Sequence, residues 1–245
     1  MTEYLAVARP LSQKIAASLL SLCTQPTELS HWDQLAYFQL GLDRQIDLVE
    51  RRLLQGQKIP AAEKIHSYFE PHTEWINKGK RHPSVELGPR VLATFDQHQI
   101  IQDYQTPASV DVAQSVPVAD RLLARYGAGA VASMSFDTGF TCAGDRELLQ
   151  LYIPVVVRPK RGKKNALETA AEGTKKFVAL RQAHSAVESG INALEHHGLN
   201  RCLNLGLEGF QRYVGYGVLA YNLHVIGREL QRRQRGTTAE HVRVE

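Results

Sequence analysis

Two carboxylates stand out by type and setting. Asp137 follows the small apolar run 130–136 and is followed by Gly139, which permits a sharp turn, so it sits where a buried strand should give way to a loop. About fifty residues on, Glu188 lies in Ala186-Val-Glu-Ser-Gly-Ile-Asn-Ala-Leu-Glu195, a stretch with helical spacing that opens a basic C-terminal segment. A strand-end Asp and a helix Glu supply the hard oxygen donors that hold divalent ions for phosphodiester chemistry. Such a site takes a third carboxylate from an earlier strand, and whether the chain has one decides whether it is an enzyme.

Each residue also has a plainer reading. Asp137 can cap the next turn through backbone N–H groups. Glu188 can simply face water, with Asn192 and Glu195 on its side of the helix and Val187, Ile191 and Leu194 marking the buried side; in the first turns it would also favour the helix N-terminus. His196 and His197 invite a metal reading, but adjacent histidines diverge on a helix, and Gly198 after them fits a C-cap. Glu70-Pro-His-Thr-Glu74 with Lys78-Gly-Lys80 is a dense polar patch that reads locally as a loop.

The elements that must position these groups follow from periodicity. Residues 1–58 read as a helical segment: a first helix stopped by Pro26, and a second from about His31 to Gln55 ended by Gly56 and Pro60. Beyond residue 59, strands are expected at Ile65–Phe69, Glu74–Lys78, Val85–Phe95 and Ile100–Tyr104, with Asp96–Gln99 as the hairpin loop between the last two. A helix is expected over Val110–Ala124, with Pro117 in a loop or near its start, then a buried strand at Ala130–Phe136. Glu147–Leu151 reads as helix, Tyr152–Val157 as a buried strand, and Ser185–His197 and Leu207–Gln231 as helices. Strands alternating with helices make this an α/β domain, expected over 59–235, with 236–245 as a flexible tail.

At 245 residues and 43% hydrophobic, the chain can bury a sizeable core. It has no apolar run near the ~20 residues that cross a bilayer, and its N-terminus lacks the pattern of a secretion signal. Three scattered cysteines, Cys23, Cys142 and Cys202, argue against a disulfide framework and a structural zinc site. A soluble cytoplasmic protein with no membrane partner is the expectation. The net charge is only +4, but the cations cluster. Arg158, Lys160, Arg161, Lys163, Lys164, Lys175 and Lys176 fall in one stretch, and Arg228, Arg232, Arg233 and Arg235 close the last helix, a pattern suited to nucleic-acid phosphates or to a solvated loop and a frayed helix end.

Taken together, the motifs resemble a known family. Glu63-Lys-Ile-His-Ser-Tyr-Phe-Glu-Pro-His-Thr-Glu-Trp-Ile-Asn-Lys-Gly-Lys80, Val85-Glu-Leu-Gly88, Ser135-Phe-Asp-Thr-Gly-Phe140, the stretch from Ala186 to Leu199 and Gly209-Phe-Gln-Arg-Tyr213 resemble, in order and spacing, DDE-type bacterial transposases of the ISNCY insertion-sequence group. The resemblance implies a ribonuclease-H-like mixed sheet and DNA cleavage and strand transfer with Mg²⁺ or Mn²⁺. It makes Asp137 and Glu188 the second and third metal-binding carboxylates, and puts Arg158, Lys160, Arg161, Lys163 and Lys164 near DNA. Insertion-sequence ends and target DNA would be partners, with the chain itself or intact transposase as a further one. Thr138 stands where family members often carry a basic residue. The family's first Asp lies on a strand upstream of the opening helices, and no such strand precedes them here. Asp33, Asp43 and Asp47 lie in a helical segment and are poor substitutes. The expectation is a truncated copy whose sheet is split where the missing strand would sit centrally, either active with a carboxylate from elsewhere or a non-catalytic DNA-binding or oligomerising remnant.

Overall fold

The computed structural model describes the chain except for residues 1, 23–28, 78–80, 82–83, 107–113, 138, 141–143, 160–161, 164 and 242–245. Two compact units result, Met1–Gly88 and Pro89–Glu245. The first is a helical hairpin with a small appended sheet. Helix α1 (Thr2–Leu22) and helix α2 (Leu29–Leu53) bring Leu5 and Ala8 against Ile46, flanked by Leu42 and Val49, as their helix-period stripes require. Polar groups are also enclosed: Gln39 Nε2 donates to Ser12 Oγ at 2.7 Å and to Asp43 Oδ2 at 3.1 Å. Arg51 joins Asp47 at 3.2 Å and Glu63 at 2.6 Å, tying the following 3₁₀ turn (Ala61–Glu63) to α2; these carboxylates raise the Arg51 pKa further.

The run Ile65–Phe69, expected as a strand, is irregular. The Tyr68 ring lies on Gly41 of α2, where a Cβ would fall 2.6 Å from Cε1, and its hydroxyl donates to Gly41 O at 2.8 Å. That side-chain anchor to a helix replaces strand pairing. Strands β1 (Glu74–Asn77) and β2 (Val85–Gly88) then form an antiparallel pair. The single strand expected over Val85–Phe95 is broken: β2 ends at Gly88, with φ +150°, and Pro89 follows with no N–H for a ladder.

In the second unit, β3 (Leu92–Phe95) and β4 (Ile101–Gln105) pair antiparallel across the expected Asp96–Gln99 turn. Asp96 Oδ1 accepts from the N–H groups of His98 and Ile100, which is why Asp suits that corner. Helix α3 (Ser115–Tyr126) takes Pro117 in its first turn, where no intrahelical N–H is lost. Next come β5 (Ser133–Ser135), α4 (Asp145–Gln150) and β6 (Val155–Val157), with β5 and β6 in parallel. Helices α5 (Ala166–Glu172), α6 (Lys175–Leu194) and α7 (Gly206–His241) follow. Helix thus continues through most of the tail expected beyond residue 235.

The fold is mixed α/β, but among the described residues its strands form three separate two-stranded sheets. Two cores hold the second unit. One gathers Val118, Ala119 and Leu122 of α3 with Met134, Phe136, Leu149, Ile153 and Val156, and Leu92 of β3 packs against it. The other gathers Ile101, Leu194, Val214 and Val218, with Ala93, Phe95, Phe210 and Tyr221 around them. Both strand pairs share their covering helices. From α3, Arg121 grips Asp103 of β4 while Val118 joins the core under β5. Gly190 of α6 meets Phe95 of β3, and His184 of α6 meets Ser135 of β5. Among the described residues, β3–β4 and β5–β6 are covered as one layer, yet no ladder joins them.

Candidate functional site

The alternation along β5 decides which groups leave the core. Met134 and Phe136 are buried, whereas Ser135 is half-buried and Asp137 exposed. Phe136 N–H still donates to Val157 O at 2.9 Å, so the strand pairing persists to the residue before Asp137. The chain then turns, with Phe140 N–H donating to Asp137 O at 3.1 Å. The strand-end position read from the sequence is therefore the one Asp137 occupies, and its carboxylate emerges from the face that carries Ser135.

Glu188 is exposed on α6, sharing a polar face with Asn192 and Glu195 as expected. Two details differ from expectation. The helix starts at Lys175, so Glu188 lies in its later half and receives nothing from the N-terminal dipole. Ile191, placed on the buried side by periodicity, is 44% exposed; Gly190 is buried instead, because α6 leans so closely on Phe95 that a Cβ would come within 2.6 Å of Cε1.

One contact ties the two elements together. Ser135 Oγ and His184 Nδ1 share a hydrogen bond at 2.9 Å. Asp137 is two residues beyond Ser135, the strand's same-face repeat. Glu188 is four residues beyond His184, the helix's same-face repeat, about 6 Å along its axis. The bond thus pins strand and helix one repeat away from each carboxylate, and Arg181, one turn earlier on α6, adds an exposed cation to that face. The sequence reading missed Ser135 and His184, although the i−2 and i−4 spacings from the two acids were present to be read.

The basic stretch is rearranged. Arg158 is 6% exposed and sits 3.8 Å from Asp145 Oδ2, which also accepts from Ser115 Oγ. It is an interior cation at the end of β6, and the expectation of a surface phosphate contact is corrected for that residue. Lys163 is exposed, and Lys175 and Lys176 are exposed on the first turn of α6. Lys160, Arg161 and Lys164 lie outside the described residues. Between the cations, α5 begins with a capping box: Asn165 accepts from Glu168 N–H and Glu168 accepts from Asn165 N–H, both at 2.8 Å. The expected loop is therefore partly helix.

The histidine pair marks the end of α6. His197 Nδ1 contacts Ala193 O at 2.6 Å, Gly198 adopts φ +107°, and Tyr213 donates to Gly198 O at 3.0 Å. The polar patch at Glu70 forms a turn in the first unit, with His72 3.2 Å from Glu70; residues 78–80 lie outside the described residues. Among the described residues no three His, Cys, Asp or Glu side chains are clustered as a metal site. The other acid on a strand of the second unit, Asp103, is 3% exposed and gripped by Arg121, 2.8 Å from Nη2. No helix among the described residues is long and apolar enough to cross a membrane.

Comparison with protein-family models, with curated proteins and with solved structures finds no match to the chain.

Proposed function

We propose that the chain derives from a metal-dependent DNA strand-transferase of the DDE transposase type, with Asp137 and Glu188 as metal ligands. The observation that carries the reading is the Ser135–His184 bond, which fixes the strand end bearing Asp137 against the helix bearing Glu188. Two exposed carboxylates suit Mg²⁺ or Mn²⁺, which bind through one or two acids and complete their shells with water and substrate phosphate. Asp137 and Glu188 are the residues that would hold such an ion, which would supply Lewis-acid chemistry toward a phosphodiester. The protein's part is to hold its acids at the mouth of the β5–β6 pair, with Arg181, Lys163, Lys175 and Lys176 exposed to meet DNA phosphates.

A ribonuclease-H-like sheet accounts for the strand order: an antiparallel hairpin, then a parallel pair whose first member ends at the acid. In this reading the interruption between β3–β4 and β5–β6 is the place of a strand bearing the first carboxylate. The same interruption favours a second reading, a remnant that binds DNA without cutting it.

Mn²⁺ binding to the chain in the presence of duplex DNA, followed by water-proton relaxation, tests the first reading. Asp137→Ala and Glu188→Gln should each weaken binding at least about tenfold, the loss of one of two anionic ligands. Unchanged Mn²⁺ binding in both variants refutes the site. Salt-sensitive DNA binding without Mg²⁺-dependent nicking selects the remnant.

A further inference from the structure

The first unit holds a hollow that plays no part in the proposed DNA chemistry. It is open to solvent, encloses about 420 Å³, and lies between α2 and the irregular segment that follows the 3₁₀ turn, with Asp33, Tyr37, Phe38, Tyr68 and Phe69 among the residues lining it. Its rings meet at angles. Tyr37 and Phe38 stand edge to face with centroids 5.3 Å apart, and Phe38 and Phe69 are tilted by 49° at 5.6 Å. Two hydroxyls fix that arrangement: Tyr37 Oη donates to Tyr68 O at 3.0 Å, and Tyr68 Oη donates to Gly41 O at 2.8 Å. Both hydroxyl hydrogens are spent on the protein's own carbonyls, so the two tyrosines bring ring faces to the hollow and no O–H donors. Phe69 is 83% exposed although it touches Phe38. The Tyr68 anchor that keeps this segment out of a ladder therefore also sets the Phe69 ring at the mouth of the hollow.

We infer that the hollow binds a small quaternary ammonium ion of the choline type. Aromatic faces carry partial negative charge and attract cations, and rings set at angles surround a tetrahedral trimethylammonium group better than one flat face does. Asp33 stands on α2 one turn before Tyr37 and is the one charged side chain among the described residues lining the hollow, so charge complementarity also selects a cation. Arg44, which acts on the Tyr68 hydroxyl, donates to Glu63 O at 3.1 Å and does not line the hollow. A trimethylammonium group has no N–H to satisfy. A lysine ammonium or an arginine guanidinium brings three or five donors, too many for one carboxylate and the Gln34 amide. The Asp33 charge opposes a phosphate next to the cation, which selects the free ammonium compound over a phospholipid headgroup and over a nucleic-acid strand. The volume falls at the small end of ligand sites, as a compound of that size requires.

Choline titrated into the full chain and followed by saturation-transfer NMR should show a Kd near about 1 mM, the strength of three part-exposed ring contacts and one carboxylate. Its uncharged isostere 3,3-dimethyl-1-butanol has the same shape and should bind at least about tenfold more weakly, because the rings and Asp33 attract charge. Phe69→Ala and Asp33→Asn should each weaken choline at least about threefold. Phe69 is exposed, so the melting temperature of Phe69→Ala should match the parent. Leu40→Ala, at another exposed apolar position of α2 outside the hollow, should leave choline binding unchanged. No choline binding up to about 20 mM would overturn the proposal. So would equal binding of choline and its isostere, which reduces the hollow to an apolar patch, or choline binding that neither Phe69→Ala nor Asp33→Asn weakens. Flotation with phosphatidylcholine vesicles that Phe69→Ala abolishes, or binding of a thymidine oligonucleotide that the same variant abolishes, would overturn it by assigning the rings to lipid or to nucleobases.

Discussion

Asn222→Ala should destabilise the second unit far more than an ordinary partly exposed polar substitution. Asn222 stands on α7 beside the edge of β4, and its amide does what a neighbouring strand would do. Ile101 N–H donates to Asn222 Oδ1 at 2.8 Å, and Asn222 Nδ2 donates to Ile101 O at 2.9 Å. Ile101 is 5% exposed and belongs to the core with Val214 and Val218, so water cannot easily replace the lost partner. Truncation strands one N–H and one C=O, each costing about 1–3 kcal/mol when left unsatisfied. Allowing for partial rehydration at the edge, the loss should be about 2–4 kcal/mol. With a urea m-value of about 1.5–2 kcal/mol/M, this moves the midpoint down by about 1–3 M. The assay is urea unfolding followed by Trp fluorescence and by far-UV circular dichroism, which separates the second unit because Trp32 and Trp75 both lie in the first. Asn222→Asp keeps the acceptor and removes the donor, so it should fall between the parent and Asn222→Ala. A shift below about 0.3 M for Asn222→Ala would refute the claim that this side chain completes a buried strand edge.

Two further outcomes follow from other contacts. Gly190→Ala should cost about 1–3 kcal/mol as Phe95 is pushed from its place, lowering the melting temperature of the second unit in calorimetry; an unchanged transition would mean that α6 and β3 are not in tight contact. Hydrogen bonds from Arg232, then Arg233, hold the Glu229 carboxyl down to about 2, from an ordinary value of 4.5. Its contribution to the end of α7 is complete above about pH 4.5 and is lost as pH falls through 2, so helical circular dichroism should drop over that window, and Glu229→Gln should flatten the drop.

The sequence by itself determined the local elements. The stripes of α1 and α2, the Asp96 corner and the strand-end place of Asp137 all follow from side-chain periodicity or from hydrogen bonds within a few residues. So did the mixed α/β class, and so did the polar face of α6 that carries Glu188. What the tertiary structure alone decided depends on contacts between residues far apart in the chain. Tyr68 anchors to Gly41 and holds its segment out of any ladder. Phe95 draws in Gly190 and leaves Ile191 outside. Asp145 holds Arg158 in the interior, although in the sequence Arg158 looks like the other cations of its cluster. The Ser135–His184 bond spans 49 residues, and it turned two separate acids into one candidate site. Periodicity can say that a helix has an apolar side; it cannot say which of two apolar sides the fold will cover, because that depends on the surface it packs against. On α7 only the packed structure shows that Val214 and Val218 are taken and that the stripe from Tyr216 to Leu230 stays exposed.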